Sequence, residues 1–162
     1  MKRFPQRFVP FVALAVAIAL VAGCGGKPRR VSTPAASIQQ LTVENDGSWT
    51  VDLRLHNYSS MPMRFDQVAL AVTVDEHDAG KLSASPAMQI GPSAADVVRT
   101  SVRPQGMARL AVADALAGRR ALSYRLAGTV SATPEDARKA RVFDVDAVGT
   151  LNPAPGLPGV LR

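Results

Sequence analysis

Apolar and polar residues alternate along most of the chain beyond residue 37, and this period of two is typical of half-buried β-strands. The clearest case is residues 49–56, whose odd-numbered positions are apolar and whose even-numbered positions are polar. The preceding Asn45-Asp46-Gly47 contains residues that tolerate positive φ angles and favour tight turns. Residues 41–43 and 49–56 are therefore predicted to form a β-hairpin.

Further runs with the same alternation follow this hairpin and are separated by turn residues. They lie at residues 68–74, Ile90, residues 98–102, residues 122–130 and residues 143–147. Residues 57–62 are predicted to form a turn, and residues 75–80 are predicted to end the third strand. About seven short strands at this spacing predict an all-β protein, a two-sheet antiparallel β-sandwich. Its core face is predicted to hold Trp49, Val51, Leu53, Leu55, Val68, Leu70, Val72, Leu126 and Phe143.

One segment departs from the strand pattern. Residues 105–117 are rich in Ala and carry Met107, Leu110, Ala111 and Ala115 at helical spacing, with Gly118 in the C-cap place. This pattern predicts one short helix packed over an end or edge of the sandwich. Beyond the last strand, the three prolines of residues 152–162 predict an extended C-terminal tail.

The N-terminus has the pattern of an export signal. A basic start with no acidic residue precedes the apolar run of residues 11–22, which is shorter than the roughly 20 residues that a membrane-spanning helix needs. The run ends in Val21-Ala22-Gly23-Cys24, which resembles the lipobox of bacterial lipoproteins. Residues 1–23 are therefore predicted to be a lipoprotein signal peptide and Cys24 the site of lipid attachment. The alternative is an ordinary signal peptide followed by a chance cysteine.

Lipid attachment at Cys24 predicts a mature protein that is tethered to a membrane without spanning it. Bacterial lipoproteins resembling this one carry two or three acyl chains, which is enough for stable anchoring. Cys24 is the only cysteine, so no internal disulfide can form. Gly25 follows it, whereas Asp at that place commonly keeps Gram-negative lipoproteins in the inner membrane. The predicted location is therefore the cell envelope, at the outer membrane facing the periplasm if the source is Gram-negative.

Residues 24–37 are predicted to be the lipidated cysteine and a flexible tether, because they are rich in Gly, Pro and Ser and have no apolar period. Lys27, Arg29 and Arg30 lie close to the anchor. They could contact anionic lipid head groups, or they could be solvated linker charges. The sandwich domain is predicted to span residues 38–151.

Charge and aromatic content argue against nucleic acid as a partner. Three of the 19 basic residues lie within the first 23 residues, which leaves 16 basic against 13 acidic residues and a net charge of +3 after processing. Aromatic residues make up 5% of the chain, too few for a base-stacking surface.

Few residues have the character of catalytic or metal-binding groups. Asp75-Glu76-His77-Asp78 is the densest group of possible metal ligands, but it lacks the spacing of a calcium loop and is interpreted as a charged turn. His56 falls on a polar strand face and is predicted to point to solvent. Asp144 and Asp146 share an outward strand face and are interpreted as surface charges rather than an acid/base pair. No catalytic residue, metal ligand or cofactor is predicted.

Two segments resemble the late embryogenesis abundant type 2 family, also called the water stress and hypersensitive response domain. One is the alternating strand that ends at Asn57-Tyr58-Ser59 and continues through Met63-Arg64-Phe65-Asp66. The other is residues 110–118 followed by residues 122–130, similar to the family's helix and its aliphatic-x-aromatic-x-x-x-Gly strand. Many members have Asn-Pro-Asn at the turn, and this chain keeps only the first Asn. The resemblance covers about residues 38–151.

The resemblance implies a fibronectin-type-III-like or immunoglobulin-like sandwich with one helix, and a role in desiccation or stress tolerance. It implies no catalytic residues. The expected function is therefore a non-enzymatic, membrane-anchored envelope lipoprotein in stress protection or envelope stability. The alternative is a binding or assembly factor that holds an envelope protein or lipid at a sheet edge.

Overall fold

A computed structural model describes residues 29–162. The predicted signal peptide, the lipid-attachment residue Cys24 and the first part of the predicted tether lie outside the described residues. Within the described part, no helix is both long enough and apolar enough to cross a membrane.

The described chain forms two antiparallel sheets and one helix, which confirms the all-β sandwich. The elements in chain order are β1 (Ala35–Val43), β2 (Trp49–His56), β3 (Met63–Val74), β4 (His77–Ala84), β5 (Met88–Ile90), β6 (Ala95–Val102), α1 (Met107–Gly118), β7 (Leu122–Pro134), β8 (Arg141–Leu151) and β9 (Val160–Leu161). One sheet has the order β6-β2-β1-β9. The other has the order β4-β3-β7-β8, with β5 paired to β3.

The core lies between the two sheets and follows the predicted alternation. Eight of the nine predicted core residues are buried, and the ninth, Phe143, is partly buried and packs against the same cluster. Val145, two residues further along β8, is the more deeply buried neighbour at 6% exposure. Fully burying a large apolar side chain contributes roughly 1.5–3 kcal/mol, so this one cluster accounts for a fold without disulfides.

Tyr124 joins the two sheets where β1 and β8 lie side by side. Its hydroxyl accepts a hydrogen bond of 3.2 Å from the backbone N–H of Ile38, at an irregularity in the β1 pairing. Gly149 on β8 is the residue opposite Tyr124, and a Cβ at this position would lie 2.4 Å from the tyrosine oxygen. The absence of a side chain at Gly149 therefore leaves the space that the ring of Tyr124 occupies.

The third strand ends before residue 75 as predicted, but the break that follows is two residues long instead of extending to Gly80. Asp75 and Glu76 have φ angles of 42° and 68°, which suit the two-residue turn of a tight hairpin. The chain then returns at once as β4, which starts at His77 and buries Ala79 and Leu82. Residues 75–80 contain acidic residues and Gly80, so the alternation of apolar and polar residues did not indicate a strand at the start of β4.

The helix is present, but its buried face and its end differ from the prediction. Ala108, Val112 and Ala115 are buried, whereas Met107 and Leu110 are 55% and 58% exposed. Small side chains allow the helix to approach the end of the sandwich closely. The left-handed cap residue is Arg119 rather than Gly118, and its N–H reaches the carbonyl of Leu116.

The folded unit extends beyond the predicted domain, residues 38–151, at both ends. Strand β1 begins at Ala35, within the predicted tether, because the backbone of this small residue already pairs with His56. The predicted tail is not free either. After its prolines, Val160 pairs with Thr42 as β9, and Leu161, which is fully buried, pairs with Leu41. The folded unit therefore includes both ends of the described chain.

Candidate functional site

The two histidines lie on strands at opposite ends of the sandwich. His56 ends β2 on its outer face, is half-buried, and stacks on the ring of Tyr58 with a centroid separation of 4.1 Å. His77 is half-buried at the start of β4, so the predicted charged turn is confined to Asp75 and Glu76. Neither is near the other, and the two do not form a joint acid/base site.

Asp75 holds the β3–β4 turn against the start of β7. Its carboxylate accepts bonds of 3.0 Å from the N–H and 2.8 Å from the hydroxyl of Ser123, and it lies 3.6 Å from the guanidinium of Arg120. Burial acts to raise the pKa of Asp75, but the bonds from Ser123 and the charge of Arg120 outweigh it and lower the pKa. Among the described residues, no group of three or more His, Cys, Asp and Glu side chains is placed to hold a metal ion.

Ion pairs cross the outer faces of both sheets. Arg99 on β6 donates to both carboxylate oxygens of Asp52 on β2, at 2.7 and 3.1 Å. Arg125 on β7 makes the same kind of contact with Asp146 on β8, at 2.8 and 2.5 Å. The arginine hydrogen bond lowers the pKa of each of these two carboxyls. The structure thus separates Asp146 from Asp144, which lies exposed on the same strand.

Asn57 and Ser59 are the two fully buried polar side chains of the described chain. The Asn57 amide group donates to the carbonyls of Met61, Ile90 and Gly91 at 2.9–3.1 Å. Its oxygen accepts the N–H of Ser59 at 2.8 Å. This network closes the turn between β2 and β3. The sequence pattern predicted only a turn here and did not indicate that the side chains of Asn57 and Ser59 are buried.

The N-terminus of the described chain is held at the same turn. The N–H of Arg30 donates to the Ser60 hydroxyl at 2.7 Å, and the N–H of Ser60 returns a bond of 3.0 Å to the carbonyl of Arg30. The N–H of Ser32 reaches the Ser59 hydroxyl at 2.9 Å. This end of the sandwich, formed by residues 29–34, 57–62, 91–94 and 135–141, is called the N-terminal pole below.

A basic cluster from a distant part of the sequence also lies at the N-terminal pole. The N–H of Glu135 donates to the carbonyl of Pro62 at 3.1 Å, which places the β7–β8 loop against the β2–β3 turn. That loop and the start of β8 carry Arg138, Lys139 and Arg141, and all three are exposed. The sequence pattern pointed only to the basic residues beside Cys24, because this second group lies far along the chain and only the strand topology brings the two together.

Two surface grooves lie toward the opposite end of the molecule. A groove of about 630 Å³ is lined by Asp75, Ser123, Arg125 and their neighbours on β8. A larger one of about 930 Å³ lies between Leu116 of the helix and the proline-rich tail around Leu157. The first is lined partly by side chains already paired with one another, and the second is mainly apolar.

These observations define a two-sheet β-sandwich with an apolar core, ion pairs on its outer faces and a basic pole beside its N-terminus. No protein-family model matches the sequence, and no curated protein matches it either. Among solved structures, the chain is similar to a solution structure of a candidate late embryogenesis abundant protein, with 13% identity, 96% of each chain covered and a TM-score of 0.47.

Two further solved structures are similar to the chain. A solution structure from Arabidopsis thaliana has 13% identity and a TM-score of 0.43, covering 80% of this chain and 84% of that one. A crystal structure from Archaeoglobus fulgidus has 13% identity and a TM-score of 0.39, covering 75% of this chain and 97% of that one. At these values the likeness concerns the arrangement of strands alone.

Proposed function

We propose that the mature chain is a non-enzymatic lipoprotein of the cell envelope, anchored through Cys24, whose sandwich serves in desiccation or stress protection. One observation carries the proposal. The lipobox Val21-Ala22-Gly23-Cys24 ends the apolar export run, and the chain is already bonded to the sandwich at Arg30. An export signal, a lipid site and a folded domain thus follow one another within a few residues.

The short distance from Cys24 to the sandwich supports an anchored domain that sits at the membrane surface. Five peptide units separate Cys24 from Arg29, and a fully extended chain spans at most about 3.6 Å per residue, or about 18 Å. The N-terminal pole would therefore lie next to the lipid head groups. With Gly25 after the cysteine, the preferred location is the outer membrane, facing the periplasm, in a Gram-negative cell.

The surroundings of the polar groups support a non-enzymatic role. General acid/base catalysis favours a group whose pKa lies near the operating pH. Asp52, Asp75 and Asp146 instead have lowered pKa values, because arginine or serine partners stabilise their charged forms. These carboxylates stay ionised at neutral pH and fasten one strand to another.

The proposal can be tested in two stages. Cys24→Ser should abolish labelling by radioactive palmitate and leave unprocessed precursor, whereas Gly25→Asp should keep the label and move the protein to the inner membrane. A deletion strain should then survive drying less well than the parent, and the natural gene should restore survival where Cys24→Ser does not. Unchanged palmitate labelling of Cys24→Ser, or unchanged survival of the deletion strain, would contradict the proposal.

A second candidate function is a binding or assembly factor, and the edge strand β8 favours it. This strand pairs with β7 on one side only, and it exposes Val142 and Val148 by 70% and 78%. Such an edge can accept an added strand from another protein. An envelope partner that is crosslinked to the natural chain and to a Leu157→Lys control, but not to Val148→Lys, would support this function over the first.

A further inference from the structure

We infer that the N-terminal pole is a docking surface for an anionic membrane, in which Arg138, Lys139 and Arg141 form a second contact beside the N-terminal arginines. The inference rests on the proposed lipid anchor, which brings this pole to the bilayer. It goes further by specifying which end of the sandwich faces the lipid and which side chains hold it there.

Strand pairing fixes the shared position of the two basic groups. Ala35 pairs with His56, so the chain entering β1 lies beside the end of β2. Met63 pairs with Pro134, and Ala132 pairs with Arg141, so the start of β3, the end of β7 and the start of β8 lie at that same end. The contact between Arg29 and Asp136, at 3.8 Å, joins the chain start to the β7–β8 loop directly.

The charge at this pole suits anionic head groups. Arg29, Arg30, Arg138, Lys139 and Arg141 contribute five positive charges, and Lys27 lies two residues before the described chain. The acidic groups at the same end are Asp66, Asp96, Glu135 and Asp136, and Asp66 pairs with Arg64 at 3.0 Å. Within the described residues, Asp136 pairs with Arg29, and none of the three cations of the β7–β8 side has an ion-pair partner. Clusters of basic residues beside a membrane anchor attract anionic lipid.

Two exposed apolar side chains at this end also suit the membrane interface. Tyr58 is 49% exposed and is supported from one side by the ring of His56. Val142 is 70% exposed next to Arg141. Tyrosine is enriched at the head-group level of membrane proteins because its ring is apolar and its hydroxyl is polar. A basic surface with a tyrosine and a valine fits a lipid surface better than it fits open solvent.

Vesicle binding by the chain without its lipid provides the first test. The chain from Gly25 to Arg162 contains the whole described core, which runs from Ala36 to Leu161. It should bind vesicles of equal phosphatidylglycerol and phosphatidylcholine more tightly than vesicles of phosphatidylcholine alone. Each basic residue near an anionic surface strengthens binding severalfold, so the triple change R138Q/K139Q/R141Q should weaken binding to anionic vesicles at least tenfold.

A charge-matched control distinguishes an effect of the N-terminal pole on vesicle binding from an effect of the net charge of the protein. K81Q/R109Q/R119Q removes three exposed basic residues that have no ion-pair partner in the described chain and lie toward the opposite end of the sandwich. It should weaken binding to the same vesicles less than about twofold. Equal losses in both triple variants, or no loss in R138Q/K139Q/R141Q, would overturn the inference.

Amine labelling of the lipid-modified protein provides a test that needs no variant. The mature chain has three lysines, Lys27, Lys81 and Lys139. On anionic vesicles, Lys139 should react with a membrane-impermeant amine reagent several times more slowly than in detergent, whereas Lys81 on β4 should react equally fast in both. Equal reactivity of Lys139 in the two states would overturn the inference. Failure of the lipid anchor would appear separately, as an N-terminal peptide without lipid mass.

Discussion

Asn57→Ala should destabilise the sandwich strongly, although it removes a small polar side chain from a turn. In the natural chain, the amide of Asn57 serves three carbonyl groups and accepts one N–H, all in the interior of the N-terminal pole. Alanine supplies no donor or acceptor there. The carbonyls of Met61, Ile90 and Gly91 would lose a partner, as would the N–H of Ser59.

The size of the loss follows from the number of buried groups that remain unsatisfied. The amide carries two hydrogens, so it makes at most two full-strength donated bonds, and the Asn57 oxygen makes a third. An unsatisfied buried group costs about 1–3 kcal/mol, and partial relaxation of the turn recovers some of it, so we expect a loss of about 3–4 kcal/mol. Asn57→Asp should cost more at neutral pH, because a charged acceptor would face three carbonyl oxygens.

Urea unfolding of the chain from Gly25 measures this loss. With an m-value of about 1–3 kcal/mol per M, the Asn57→Ala midpoint should fall by about 1–4 M. Asn45→Ala serves as the control, since Asn45 is exposed in the β1–β2 turn, and it should cost under about 0.5 kcal/mol. A loss below about 1 kcal/mol for Asn57→Ala would mean that the buried amide network does not hold the pole together.

Three further predictions use the same urea assay. Gly128→Ala should lower the free energy of unfolding by about 3 kcal/mol or more, or prevent folding, because a Cβ at Gly128 would lie 2.2 Å from the carbonyl oxygen of Ala69. A loss under about 1 kcal/mol would contradict that packing. The pKa of Asp75 is lowered in the folded chain, so its charged form stabilises the fold above the unfolded pKa of about 3.9, and this stability is lost as the pH falls through the lower folded pKa. Asp75→Asn should therefore lose less stability between about pH 5 and pH 2 than the natural chain, and equal dependence of stability on pH in the two proteins would refute this. Leu53→Ala should lower the free energy of unfolding by about 2–5 kcal/mol and Leu110→Ala by under about 1 kcal/mol, because Leu53 is fully buried and Leu110 is 58% exposed. A larger loss for Leu110→Ala than for Leu53→Ala would contradict the described helix face.

Period-two alternation predicted the sandwich well because one face of most strands is buried while the other faces solvent. Residues 49–56 show this most clearly, with every apolar side chain inside. The pattern failed where local residues disguised the alternation. Strand β4 opens with His77 and Asp78, and β9 follows a run of prolines, so both were interpreted as irregular chain. Strand β4 forms by pairing with β3 across the two-residue turn, and β9 forms by pairing with β1, which lies far away in the sequence.

The helix and the N-terminal pole show a second limit of sequence reasoning. Met107 and Leu110 are two of the three largest apolar residues of α1, yet the close approach of the helix to the sandwich buries Ala108 and Ala115 instead. Size and hydrophobicity alone could not predict which face fits the available space. Similarly, the basic residues at 138–141 form one surface with Arg29 only because the strand order brings the two segments together. The 138–141 run itself was visible and could have been noted as a basic cluster.

Mass spectrometry of the N-terminal peptide, from protein isolated out of native membranes, distinguishes a lipid-anchored sandwich from an unmodified one. We expect a chain that begins at Cys24, with a diacylglycerol thioether on its sulfur and an acyl mass shift that alkali reduces by ester hydrolysis. A chain that begins elsewhere, or a peptide in which Cys24 carries a free thiol, would mean that the sandwich is not anchored through this residue.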